Sequence, residues 1–301
     1  MKSVQRKNNS GLITQTQPAQ GALMATQKVW LNNENIHIRY AQLGNPVNPT
    51  VILLHGVPEN LQAWYGVAPL LAKNYHVLAL DLPGFGGSDP LLSLADYNSR
   101  HFAEVIVAFM DALNIDKANL VASDISLLPA LLVGLEHGNR VNKLVVMDGI
   151  PFVRPQHASW ELKSFAKKGS ILGKALVQWF PYVSAQIAYI KGFYRGHAIP
   201  KEVRREFLAD GKVKTNQQAF LAYFQNFSLS QQYFESRVQN LKKDVLVLWG
   251  KQDRFIDKKL ALEIDQKLPN SRLDIIEKAG HYLHMDRPEI VAQKVAQFLE
   301  C

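Results

Sequence analysis

The chain has a single cysteine, Cys301, at its last position, so no intramolecular disulfide framework is possible. A lone thiol fits a reducing compartment, and a cytoplasmic location is the expectation. Long hydrophobic runs are also lacking. No stretch approaches the roughly 20 apolar residues of a membrane span. Residues 1–27 contain no acidic residue and only one arginine, Arg6, and they lack the apolar core of a secretory signal. They are expected to form a disordered tail, with the functional chain beginning near Met24.

Acidic residues are scarce in one internal region as well. Net charge is +8, and residues 151–243 hold 15 Lys/Arg against 5 Asp/Glu, leaving the rest near neutral. Clusters such as Lys167-Lys168 and Arg204-Arg205 could attract an anionic substrate, a nucleic acid or a membrane surface. No nucleic-acid motif accompanies them, so solvated outer faces of helices are expected, with neither nucleic acid nor membrane as partner.

What is present is an alternation of short β-rich runs with helical patterns. It predicts an α/β fold with a mostly parallel, doubly wound sheet covered on both faces. Segments 28–31 and 36–42 read as an opening antiparallel hairpin. Strands follow at 51–54, 76–80, 118–122 and 143–147, with helices at 61–73, 102–113 and 126–137. After Pro151 the pattern becomes helical, aromatic and basic, with no strand until 245–249. A 90-residue insertion is too long for a structureless loop, so 151–243 is expected to be a helical cap. The core domain is then 28–150 together with 244–301, closing with helix 258–267, strand 272–277 and helix 288–299.

Ligands of such sheets bind at the C-terminal strand ends, and the chemically distinctive residues fall there. Val121-Ala122-Ser123-Asp124-Ile125-Ser126 ends a strand and leads directly into a helix. A tight strand-to-helix elbow needs small residues two positions on either side of its centre. Around Asp124 these are Ala122 and Ser126. Around Ser123 they are Val121 and Ile125, and around Ser126 they are Asp124 and Leu128. Only the aspartate frame fits.

Four motifs in order carry a resemblance to the α/β-hydrolase superfamily from about Lys28 onward. They are His55-Gly56-Val57-Pro58, the run from Asp81 to Asp89, the elbow, and Gly280-His281. An aspartate at the elbow is similar to the branch of epoxide hydrolases and dehalogenases. The His55–Glu59 run is similar to epoxide hydrolases in particular. The resemblance implies Asp124 as nucleophile, His281 as general base, and the N–H groups of Val57 and Ile125 as an oxyanion hole. A carboxylate can displace a leaving group at a saturated carbon, forming an ester that histidine-activated water hydrolyses. Two acids could orient His281. Asp253, 28 residues before it, is favoured, and Asp148 is the alternative. His55, Trp160, Tyr194 and Tyr223 are the expected substrate-binding residues, with the tyrosines and the cap histidines His157 and His197 as candidate proton donors.

The resemblance leaves several chemistries open. Dehalogenases grip the departing halide or hold a substrate carboxylate, but this chain has Ile125, Val57 and Leu128 at those places, which favours epoxide hydrolysis to a diol. Ser123, Ser126 and Leu127 depart from the histidine and glycines common in relatives, so a non-catalytic ligand-binding protein is the further alternative. A small, largely apolar organic substrate is expected. No metal, nucleotide or flavin is implied, because the glycines after Pro83 lack the spacing and lysine of a phosphate loop.

Overall fold

The computed structural model describes residues 23–179, 181–196 and 199–300 of the chain. The expected tail therefore lies largely outside the described residues.

Strands β1 (Thr26–Leu31) and β2 (Ile36–Leu43) form the opening hairpin, followed by β3 (Thr50–Leu54). The expected helix over 61–73 is instead two pieces, a 3₁₀ turn at Leu61–Trp64 and α1 (Ala68–Leu71). Pro69 explains the break: lacking an N–H, it cannot continue a helix but is tolerated in a first turn. Then come β4 (His76–Leu80), α2 (Ser99–Ala112), β5 (Ala118–Ser123), α3 (Leu127–Glu136) and β6 (Val141–Met147). Asn98 starts α2 by accepting a hydrogen bond from the His101 N–H, an N-cap that relieves one orphan donor.

Between β6 and β7 (Val245–Gly250) the described residues form helices and no strand. These are α4 (Trp160–Ala166), α5 (Ile171–Lys174), a π-helical turn at Ala175–Trp179, α6 (Pro181–Gly192), α7 (Lys201–Asp210) and α8 (Lys214–Glu235). The chain closes with α9 (Lys259–Lys267), β8 (Ser271–Ile276), α10 (Leu283–Asp286) and α11 (Pro288–Glu300).

The eight strands make one sheet in the order β1-β2-β4-β3-β5-β6-β7-β8. β2 runs antiparallel to both neighbours, and the strands from β4 to β8 are parallel. The period of two along a strand divides the core between the two faces. Ile52, Leu54, Leu120 and Ala122 pack on one side, and Val51, Leu53, Val121 and Val145 on the other. Each such fully buried aliphatic contributes on the order of 2 kcal/mol. Strand order reverses between β3 and β5, and a doubly wound sheet opens a crevice at that point. The segments that leave these two strands carry His55–Glu59 and Asp124.

Two polar ties hold the insertion to the sheet. Arg154 donates to Glu235 at 2.6 Å and to Glu263 at 2.6 Å. On the other side Glu206 of α7 accepts from Arg39 at 2.7 Å, and Asp210 accepts from Asn60 at 2.6 Å.

Candidate active site

Asp124 is the first residue after β5, with φ of 52°, in the left-handed region that non-glycine residues rarely adopt. A single turn over Asp124–Ser126 then feeds α3. Its Oδ2 accepts a hydrogen bond from the Val57 N–H at 3.0 Å, and the adjacent Ile125 N–H also favours the charged carboxylate. Gly56 is required beside it, since a Cβ there would lie 2.7 Å from the Asp124 Cβ. The Ser126 hydroxyl donates to the His55 carbonyl and so ties the elbow to the segment after β3. Burial pushes the Asp124 carboxyl up to about 6, against the opposing pull of His281 and the Val57 N–H.

His281 follows β8 in the loop before α10. Its Nδ1 donates to Asp253 Oδ2 at 2.9 Å, and its Nε2 faces Asp124 Oδ1 at 3.8 Å. Burial lowers its affinity for a proton, but the charge and hydrogen bond of Asp253, with Asp124 and Asp148 behind them, raise it to about 10. Asp253 is itself fixed, its Oδ1 accepting from the Phe255 and Ile256 N–H groups. Asp148 lies in the same cluster. Its Oδ1 accepts from the Gly250 N–H at 3.0 Å, while Oδ2 has no partner among the described residues. Burial, with repulsion from Asp253, holds the Asp148 carboxyl well above the usual range. The geometry thus joins His281 to Asp253 and leaves Asp148 as a neighbour bonded to the Gly250 N–H.

Asp124 and His281 open into a cavity, partly open to solvent, walled by Leu162, Phe165, Phe220, Phe224, Phe255 and Tyr282. Val57, Pro58, Leu176, Ser184 and Phe220 also line an adjoining space that reaches Glu59, Tyr189 and Asp210. Apolar walls with few polar groups are what small-molecule pockets have.

The four expected substrate-binding residues lie apart from the cavity walls. His55 is fully buried and lines neither space: its Nδ1 donates to the Gly56 carbonyl at 2.6 Å and its Nε2 accepts from the Leu82 N–H at 3.1 Å. Both ring nitrogens are occupied by backbone, and burial lowers its pKa, so it is a neutral latch. Trp160 opens α4 and turns outward, about half exposed. Tyr194 is outside both cavities, its N–H bonded to Asp286. Tyr223 is fully buried. Its hydroxyl donates to the Ile125 carbonyl at 2.7 Å and accepts from Ser99 at 2.7 Å, so it braces the elbow from behind. His157 sits 4.0 Å from Asp257, away from the cavity, and His197 lies outside the described residues.

Two tyrosines take the place of those expected. Tyr282 borders Asp124 and His281, and Tyr189 of α6 lines the adjoining space. Neither hydroxyl has a hydrogen-bond partner among the described residues, and burial raises the pKa of both, keeping them protonated. Tyr282 is the residue after His281, a position readable as a neighbour of the site from sequence alone. Tyr189 could be found only once the direction of α6 was known.

The sequence profile of the family described as alpha/beta hydrolase fold matches residues 49–288. Over 272 residues the chain is 26% identical to a 2-hydroxy-6-oxononadienedioate/2-hydroxy-6-oxononatrienedioate hydrolase of Cupriavidus pinatubonensis, covering 83% of this chain and 86% of that one. Over 288 residues it is 25% identical to epoxide hydrolase 3 of Xenopus tropicalis, covering 90% and 76%. The solved structure of epoxide hydrolase CorEH without ligand superposes with a TM-score of 0.79 over 92% of this chain and 98% of that chain, at 17% identity, a likeness of fold.

Proposed function

This chain belongs to the alpha/beta hydrolase fold family, and from that premise we propose that it opens epoxides to diols through an ester on Asp124. The observation that carries the reading is the carboxylate at the elbow, with Oδ2 held by backbone N–H and Oδ1 left facing both the cavity and His281. Oδ1 attacks a ring carbon, the carbon–oxygen bond of the ring breaks, and the ring oxygen takes a proton from Tyr282 or Tyr189. The ester removes the negative charge of Asp124 that helps keep His281 protonated, and His281 passes its proton to the tyrosinate left by ring opening. His281, oriented by Asp253, then accepts a proton from water, whose oxygen attacks Cγ of Asp124. The Val57 and Ile125 N–H groups hold the oxyanion, the bond to the product oxygen breaks, and His281 returns the proton to it. The Asp124 carboxyl gives the second proton of the water to His281, which restores the carboxylate and the protonated imidazole, and the diol leaves.

The insertion acts as the cap of this site, supplying apolar walls that suit a small, largely apolar substrate. Val57 and Ile125 offer no side-chain donor for a departing halide, which weighs against dehalogenation. The relatives include both 2-hydroxy-6-oxononadienedioate hydrolases and epoxide hydrolases, and the aspartate at the elbow is what favours the latter here.

A His281→Gln variant incubated with epoxides tests the reading by intact and peptide mass spectrometry. The expected result is an adduct of the epoxide's mass on the peptide containing Asp124, absent in Asp124→Asn. An adduct only from haloalkanes would overturn epoxide opening in favour of dehalogenation. No adduct from either class would overturn the covalent reading.

A further inference from the structure

We propose that the outer face of the α5–α6 roof is a docking surface for an anionic lipid bilayer, holding the cavity against a phase in which apolar molecules dissolve. The inference is independent of which bond the cavity cleaves.

The roof has two unlike faces. Leu176, Ser184, Ile187 and Ala188 point inward and line the cavities. On the opposite side Ile171, Leu172, Trp179, Tyr182, Val183 and Ile190 are exposed, Ile171 at 75%, Ile190 at 68% and Trp179 at 65%. Tyr182, Gln186 and Ile190 recur every four residues, one stripe along α6. Soluble surfaces rarely gather this many large apolar side chains on so short a stretch without a partner.

Charge selects the partner. Four of the five acids in 151–243 are turned inward: Glu161 accepts from Lys191, Glu206 from Arg39, Asp210 from Asn60 and Glu235 from Arg154. The bases face solvent, among them Lys167, Lys168, Lys174, Arg204 and Arg205. Arg204 donates to Gln186 at 3.2 Å, which puts a guanidinium at the middle of the apolar stripe. Lys174 lies in sequence between Leu172 and Trp179. Aromatic and aliphatic side chains set among lysines and arginines are what an interfacial segment presents to anionic headgroups. No helix among the described residues is long and apolar enough to cross a bilayer, so the contact is interfacial. A second copy is the poorer partner, because a twofold pairing would set like charges against each other. The basic clusters, which on sequence alone read as plain solvated faces, thereby acquire a role.

Flotation of the full chain with phosphatidylcholine vesicles, with and without about one quarter phosphatidylglycerol, tests this. Binding is expected only with the anionic lipid, and it should weaken as salt is raised. The K167Q/K168Q/K174Q variant should bind roughly a hundredfold more weakly, about fivefold for each cation removed. W179S/I190S should also weaken binding, and brominated lipids should quench tryptophan fluorescence in the unaltered chain but less in W179F. Circular dichroism and melting confirm that each variant is folded, and R204Q on a separate helix provides an independent loss. The proposal is overturned by absence of binding to anionic vesicles, by binding that none of these variants weakens, or by a concentration-dependent dimer in light scattering that W179S/I190S abolishes.

Discussion

Nε2 of His281 stands 3.8 Å from Oδ1 of Asp124, while Nδ1 of the same ring is bonded to Asp253 at 2.9 Å. The imidazole therefore lies between two carboxylates, which raise its pKa to about 10, and burial raises that of Asp124 to about 6. The nucleophile must be ionised to attack. Because its pKa is raised, the reactive form is lost as pH falls through about 6 and is present above it. Under the proposed reaction, kcat/KM for an epoxide should fall about tenfold per pH unit below that point. Initial rates across the acid range check this, and a flat profile there would count against Asp124 as the attacking group.

Asp253 and Asp148 both approach His281, but only Asp253 is hydrogen-bonded to it. Asp253→Asn should cut turnover roughly 10³- to 10⁴-fold, as loss of an orienting carboxylate does. Asp148→Asn should keep most of the activity, since Asp148 bonds to the Gly250 N–H and makes no hydrogen bond to His281. Equal losses in steady-state assays would contradict this division.

Tyr282 and Tyr189 should each lower the alkylation rate when changed to phenylalanine, by about 10²-fold for the principal donor. Their melting temperatures should barely move, because neither hydroxyl has a partner among the described residues. Tyr223→Phe should behave oppositely, costing about 1 to 3 kcal/mol by leaving a buried carbonyl unpaired. Stopped-flow kinetics beside thermal melts separate the two behaviours.

The sheet and the elbow are legible in the sequence because each follows from local rules. Strands buried on both faces, such as Val51 to Leu54, read as continuous apolar runs, and the spacing of small residues around Asp124 allows one frame. What escapes depends on direction. Composition shows that the region after Pro151 is helical and aromatic, but not which way Tyr189, Tyr194 or Tyr223 points. His55 occupies a distinctive motif, yet its two nitrogens are used up by the Gly56 carbonyl and the Leu82 N–H, a partner 27 residues away. The break at Pro69 is readable, though the apolar pattern across 61–73 masks it.

Gly56→Ala would place a Cβ 2.7 Å from that of Asp124. Overpacking of this kind costs about 1 to 3 kcal/mol. Turnover should fall by more than the fraction unfolded, because the displaced backbone carries the Val57 N–H that holds Oδ2. Denaturant melts together with the mass-spectrometric trap measure the two effects separately.

Burial raises the carboxyl of Asp210 to about 6, helped by the charges of Asp81 and Glu206 nearby, while its bond from Asn60 opposes the shift. A pKa raised on folding means that Asp210 favours the folded chain most below its unfolded value, near 3.9. That contribution is lost as pH rises through about 6. Asp210→Asn should therefore stabilise the protein by about 1 to 2 kcal/mol at pH near 8 and have little effect near pH 3. A stability difference independent of pH would show that this carboxyl does not titrate as described.

Tyr223 belongs to α8, yet the carbonyl it satisfies belongs to Ile125, the residue that follows Asp124 in the elbow. The segment between β6 and β7 is for this reason not an interchangeable module. Grafting a relative's helices in its place would strand the Ile125 carbonyl and the Ser99 hydroxyl in dry, apolar surroundings and loosen the turn that presents the carboxylate. A change of specificity by exchange of this segment has to carry Tyr223, or an equivalent donor, along with the new walls.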